Sequence, residues 1–196
     1  MRLALFDFDG TITTKDSMVK FIQYAVGKRK YYFGLLRLSP MLMAYKLNLY
    51  PNDKAKERLL AYFFKKITIK EFQEIVIGYD KNELDKIVRK EAIAKILWHK
   101  KQGDEVVVVS ASMECWLKLW CDRQNIKLIA TKLEIENGKF TGKFATPNCY
   151  GEEKVTRLQE LYPTEQYSHI YAYGDSRGDR ELLKLADEAF YKPFRQ

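Results

Sequence analysis

The sequence predicts an α/β protein: a parallel sheet flanked by helices, Rossmann-like in layout, and interrupted by one helical insertion. Three observations carry this. Short apolar runs at residues 3–6, 106–109 and 170–173 have the length and bounding residues of buried parallel strands. Residues 14–90 show almost no strand alternation and several stretches of helical spacing. Each apolar run also stops on polar residues, at the strand ends where open α/β sheets bind ligands.

The first run, Leu3-Ala4-Leu5-Phe6, leads into Asp7-Phe8-Asp9-Gly10-Thr11. Two carboxylates so close together in a cleft are costly unless a cation or a proton separates them. The pair therefore implies a metal ion or a division of acid and base roles. An acidic turn at Asp9-Gly10 is the plainer alternative. In the insertion, Val19, Phe21, Ile22 and Val26 have helical spacing, as do Leu59, Leu60, Phe63 and Phe64. Ile87, Ile93, Ile96 and Leu97 fit a helix leading back to the sheet. The chain thus divides into a core of residues 1–13 and 91–196 and a helical subdomain of residues 14–90. The middle of that subdomain, residues 31–45, is aromatic and apolar between Lys28-Arg29-Lys30 and Lys46, with Arg37 and Pro40 interrupting it. It is shorter than the roughly 20 residues of a membrane span. Two readings stand: the core of a small helical bundle, which is the expectation, or an element facing an anionic lipid surface.

Val106 to Val109 end on Ser110-Ala111-Ser112, which would set a hydroxyl and backbone N–H groups at a helix start, a combination suited to phosphate. Residues 132–140 read as a hairpin turning at Asn137-Gly138, expected to extend the sheet. Lys154 opens a helix through Val155, Leu158 and Leu161. The last run ends on Gly174-Asp175-Ser176-Arg177-Gly178-Asp179. Phosphoryl transfer needs charge neutralisation and positioning more than covalent chemistry, and carboxylates, a hydroxyl and a lysine at strand ends supply both.

These four motifs, in this order and spacing, resemble the haloacid dehalogenase superfamily in its phosphoserine-phosphatase-like branch, over essentially the whole chain. The resemblance implies a Rossmann-like core with a C1-type helical cap at residues 14–90. It implies Asp7 as the nucleophile and Asp9 as general acid and base. Asp7, Asp175 and the Asp9 carbonyl would hold Mg2+, Asp179 would support that site, and Ser110, Ala111 and Lys154 would bind phosphate. An Asp at position 9 favours a phosphatase or phosphotransferase, because dehalogenases of the superfamily have no acid there and its ion pumps resemble Thr. Phosphoserine phosphatases typically carry Glu at the position of Asp16 and Gly-Gly where this chain has Ala111-Ser112. Asp16, the apolar cap segment and Cys149-x-Gly151-x-Glu153-Lys154-Val155 resemble instead a bacterial phosphatidylglycerophosphate phosphatase. A small or a lipid-linked phosphate monoester is therefore the expected substrate, with Asp16 and Arg58 as candidate substrate contacts. The alternative from another class is a phospho-acceptor switch, which would need neither Asp9 nor a cap.

At 196 residues the chain can bury a substantial core. Its formal charge of +8 suits an acidic substrate, an anionic lipid surface or nucleic acid and selects none. The lysines are scattered and no nucleic-acid motif is present, so nucleic acid is not an expected partner. Cys115, Cys121 and Cys149 lack metal-ligand spacing and suit reduced thiols. His99 and His169 are isolated and expected to be structural. The sequence runs into the first strand and Asp7 with only Arg2 ahead of them, so cleavage of a signal peptide would remove the site; a cytoplasmic chain is therefore expected, peripheral to the membrane if the apolar segment faces lipid. The sequence carries no signal of oligomeric state.

Overall fold

The computed structural model describes residues 1–195. Strand β1, Arg2–Phe6, occupies the centre of a five-stranded parallel sheet. It pairs on one side with β2, Glu105–Met113, and β2 with β3, Lys127–Thr131. Two short strands, β4 at Leu133–Glu136 and β5 at Lys139–Phe144, form a separate antiparallel hairpin. On the other side of β1 lies β6, His169–Gly174, followed by β7, Glu188–Tyr191, giving the order β3-β2-β1-β6-β7. The chain thus reverses direction across the sheet between β1 and β6, the position where such sheets open a ligand crevice.

The period of two along β1 assigns its side chains to two separate cores. Leu3 and Leu5 join Val107, Val109, Ile170 and Ala172 beneath Leu158 and Leu182. Ala4 and Phe6 join Val106, Val108 and the tryptophans at 116 and 120 on the opposite face. The four apolar side chains of β1, Leu3 to Phe6, are fully buried, and an apolar run without alternation signals that condition.

Between β1 and β2 the chain forms α1 (Ser17–Val26), α2 (Lys28–Arg37), α3 (Ser39–Lys46), α4 (Asn52–Phe64) and α5 (Ile69–Asn82), then returns through α6 (Lys90–Lys101). Asp16 caps α1 by accepting from the Val19 N–H, and Thr68 and Glu71 form a capping box on α5. The two crossings between sheet and helices run side by side: Thr13 bridges Val88, the Thr14 N–H donates to Ile87, and the Arg89 N–H donates to Ile12. Val88 is extended, so Ile87 lies in a separate short turn and not in the helix with Ile93 and Ile96. The remaining helices, α7 (Glu114–Arg123), α8 (Glu152–Leu161) and α9 (Arg180–Leu185), cover the sheet faces.

The hairpin departs from expectation. Asn137 and Gly138 both take positive φ, as the tight turn requires. The hairpin does not extend the main sheet, however. Phe140 packs at a tilt against Phe72 of α5, Lys139 bridges Thr68, and Gly142 lets β5 approach α4 so closely that a Cβ there would lie 2.4 Å from the Ala61 Cα. Apolar residues on the helices claim the hairpin before the sheet edge does.

The apolar segment at 31–45 is split between two environments. Tyr31, Gly34 and Leu38 are buried, whereas Tyr32, Phe33, Leu36 and Met43 are exposed. No helix is long and apolar enough to cross a membrane among the described residues.

Candidate active site

The carboxyl ends of β1, β2 and β6, together with the start of α8, converge on one cleft. Its walls include Asp7, Asp9, Asp16, Ser110, Ala111, Ser112, Lys154 and Asp179. At its centre Lys154, almost fully buried, donates to Asp7 Oδ1, Asp179 Oδ1 and the Val109 carbonyl, each at 2.7 Å. Three N–H bonds on one ammonium meet three acceptors, so its donor capacity is filled. Burial works against the Lys154 charge, but the two carboxylates outweigh it and its pKa is raised. Burial, with Lys154 opposing and Asp179 adding, pushes Asp7 up to about 7.

Asp179 is a scaffold carboxylate. Its Oδ2 accepts from the Asp175 N–H at 3.1 Å, the Ser176 N–H at 2.9 Å and the Ser176 hydroxyl at 2.8 Å. Although burial opposes ionisation, Lys154 and these donors hold it below the usual carboxylate range. Asp175 is the contrasting group: its Oδ1 is buried without any partner, while Oδ2 meets Arg195. Asp7, Asp175 and Asp179 each bring one carboxylate oxygen within 4.8 Å of the others. Gly10, at φ +86°, passes directly over Asp175, and a Cβ there would stand 2.4 Å from Asp175 Oδ2. A crowded set of hard oxygens with one left unsatisfied fits an oxygen-seeking divalent cation such as Mg2+.

The Asp9 side chain points away from that cluster. Its Oδ1 accepts from the Ser17 N–H at 2.6 Å, the first residue of α1, and its Oδ2 accepts from the Ser112 hydroxyl. Burial first, then the charge of Asp16, raises its pKa to about 6 against those two donors. Asp7 and Asp9, two residues apart, therefore sit in different surroundings: one against a lysine, the other against a helix N-terminus.

Ser110, buried at the end of β2, accepts from the Ser112 N–H at 3.0 Å. The expected helix start at this point is not found. β2 continues to Met113 with an irregular register after Ser110, and α7 begins at Glu114, so strand backbone and not a helix terminus borders the cleft here. Asp16 lies at the cleft mouth, exposed, with its side chain committed to capping α1. Arg58 is exposed and does not line the cleft. Two residues earlier on α4, Lys56 does, donating to the Ala111 carbonyl at 3.1 Å. Positions two apart on a helix differ by roughly 200° in direction, so α4 can turn only one of them inward. Burial lowers the Lys56 pKa, with Asp16 and Asp9 resisting. Ser112, Lys56, Asn52 and Tyr150 are among the cleft residues the sequence analysis left without a site role. For Ser112 the signal was its departure from Gly-Gly.

The cysteines lie outside this cleft, and burial raises the pKa of all three, so none is a thiolate poised for attack. His99 is buried between Asp104 Oδ2 at 2.7 Å and the Tyr173 hydroxyl at 2.9 Å, a structural role.

The family model for haloacid dehalogenase-like hydrolases matches residues 4–184. Protein CicA from Caulobacter vibrioides is 33% identical over 195 residues, covering 98% of this chain and 86% of that protein. A histidinol-phosphatase from Neisseria meningitidis serogroup C is 27% identical over 209 residues, covering 95% and 87%. Among solved structures, a substrate-bound phosphoserine phosphatase complex superposes with TM-score 0.69 at 16% identity, covering 96% of this chain and 84% of its own.

Proposed function

The chain belongs to the haloacid dehalogenase-like hydrolases, and from that premise we propose that it hydrolyses phosphate monoesters with Mg2+ through a phosphorylated Asp7. The observation that carries this reading is the buried, unpartnered Asp175 Oδ1 in a cluster with Asp7 and Asp179. Asp7 and Asp175, with the backbone carbonyl of Asp9, would hold the cation, and Asp179 would fix Asp175 and Lys154. Bound there, Mg2+ neutralises charge on the phosphoryl oxygens.

In the first step an Asp7 carboxylate oxygen attacks phosphorus and the ester P–O bond breaks. Asp9, as the acid, delivers its proton to the departing oxygen. In the second step Asp9, now a carboxylate, takes a proton from water as the water oxygen attacks phosphorus and the bond to Asp7 breaks. A pKa raised to about 6 suits a group that must both give and accept a proton near neutrality. Ser110, Ala111 and Lys154 would receive the phosphoryl oxygens, Lys154 exchanging one of its three protein acceptors to do so, and residues 14–90 would act as the cap. Support for the cap comes from contacts across the cleft: Ser17 on Asp9, Lys56 on Ala111, and Asn52 accepting from Asn148 at 3.0 Å.

Asp16 and Lys56 give the cleft mouth one charge of each sign, which fits a small ester carrying an amine or hydroxyl near Asp16 and an anionic group near Lys56. Hydrolysis assays with phosphoserine, histidinol phosphate, glycerophosphates and short-chain phosphatidylglycerophosphate, with Mg2+ and with EDTA, test the proposal. Metal-dependent release of phosphate from at least one ester is expected. A stable phosphoprotein with no turnover on any ester would replace the hydrolase with a phospho-acceptor switch.

A further inference from the structure

The charge of this chain is unevenly distributed. From residue 17 to residue 52 there is no Asp or Glu, and Lys20, Lys28, Arg29, Lys30, Arg37 and Lys46 all fall in that stretch. This acid-free stretch forms α1, α2 and α3 and the turn after them.

Packing fixes which side of α2 faces out. Its inner side is Tyr31, Gly34 and Leu38, and a Cβ on Gly34 would lie 2.4 Å from the Phe63 ring of α4. The helix is pressed so close at Gly34 that it cannot roll to hide its other side. That other side carries Tyr32, Phe33 and Leu36, which are 58%, 63% and 71% exposed. α3 buries none of its residues; Met43 is 59% exposed, and Leu47 and Leu49 beyond it are 61% and 77% exposed. An apolar face of this kind, ringed by lysine and arginine, is uncommon on a free protein surface.

We propose that the α2–α3 tip docks on an anionic lipid bilayer. The apolar side chains would enter the boundary between headgroups and acyl chains, while the basic residues meet lipid phosphates. A second copy of the chain is the poorer occupant, since a symmetric contact through this face would bring two acid-free basic surfaces together. The proposal does not depend on the hydrolase reading, because none of these exposed residues lines the catalytic cleft.

The test is sedimentation with phosphatidylcholine vesicles, with and without phosphatidylglycerol. The protein should bind only the anionic vesicles. Binding should fade as salt rises from about 0.1 M to 1 M, because screening shortens from roughly 10 Å to 3 Å. A triple variant, Lys28→Gln, Arg29→Gln and Lys30→Gln, should bind roughly 100-fold more weakly. The pair Phe33→Ser and Leu36→Ser should also lose binding, and both variants should keep the wild-type melting temperature and hydrolysis of p-nitrophenyl phosphate. Failure of the wild-type protein to bind anionic vesicles, or wild-type binding retained by either variant, overturns the proposal. So does a concentration-dependent dimer that the serine pair abolishes, which would make the face a contact between copies. A protein that binds vesicles but hydrolyses no ester would refute the proposed function alone.

Discussion

Replacing Lys154 by Met would remove a buried cation and leave its three acceptors in place. Asp7, Asp179 and the Val109 carbonyl each lose a 2.7 Å bond, and the two carboxylates, with side chains 8% and 1% exposed, then face each other without compensation. Breaking a buried pair in this way costs about 3–5 kcal/mol. Against a total stability of about 5–15 kcal/mol the protein should still fold, but with a melting temperature lower by roughly 6–20 °C for a chain of this size. Thermal unfolding in EDTA at neutral pH measures the deficit. It should shrink toward pH 5, because Asp7 titrates near 7 even with the lysine present and is neutral once protonated. Lys154→Arg should not restore the protein, since a planar guanidinium cannot converge its donors on three acceptors as an ammonium does. Turnover by the Met variant should fall at least about 100- to 1,000-fold, the scale for losing one preorganised donor to a phosphoryl oxygen. A Met variant with the wild-type melting temperature at neutral pH, or activity within a few-fold of wild type, would refute this account of the site.

Other consequences follow from the same geometry. Burial raises Asp7 to about 7 and Asp9 to about 6, so the folded metal-free protein holds protons the unfolded chain has released. Its stability should therefore fall as pH rises from about 4 to 7, and the melting-temperature gain on adding Mg2+ should grow over that range; a pH-independent gain would contradict it. Calcium should support turnover poorly, given its looser geometry, and activity persisting in EDTA on demonstrably metal-free protein would remove Mg2+ from the mechanism. Ser112→Ala should lower kcat about tenfold or more with little change in KM, most for esters with poor leaving groups, and Ser112→Thr should recover part of it. Unchanged kcat would show that Ser112 does not position Asp9. Gly142→Ala should destabilise by at least about 1–3 kcal/mol, because its Cβ meets α4 backbone at a positive φ; denaturant unfolding reads this directly.

The candidate site was legible because it sits where strands end. Asp7, Asp9, Ser110 and Asp175 follow apolar runs whose character is set by burial within the sheet, and Lys154 follows Gly151, whose positive φ opens α8. What could not be read depends on tertiary choice. Lys56 and Arg58 are equivalent charges on one helix, and only the packing of Leu59, Leu60 and Phe64 decides which turns to the cleft. The hairpin's turn was readable from Asn137-Gly138, but its partner was not, because Phe140 is apolar enough for either the sheet edge or the helices. β7 has only four residues, three of them exposed or nearly so, and lacks the apolar run that marks β1 and β2. The split of residues 31–45 into buried and exposed halves came from Gly34, whose role is visible only once Phe63 lies against it.

The most direct test of the central claim is to find the phosphoryl group itself. Rapid acid quenching during turnover, followed by mass spectrometry of the N-terminal peptide, should find one phosphoryl group on Asp7. It should accumulate in Asp9→Asn supplied with p-nitrophenyl phosphate, whose leaving group departs without a proton while water is no longer activated, and be absent in Asp7→Asn, which should also be inactive. A phosphoryl group on another residue, or an Asp7→Asn variant that turns over at the wild-type rate, would contradict the account.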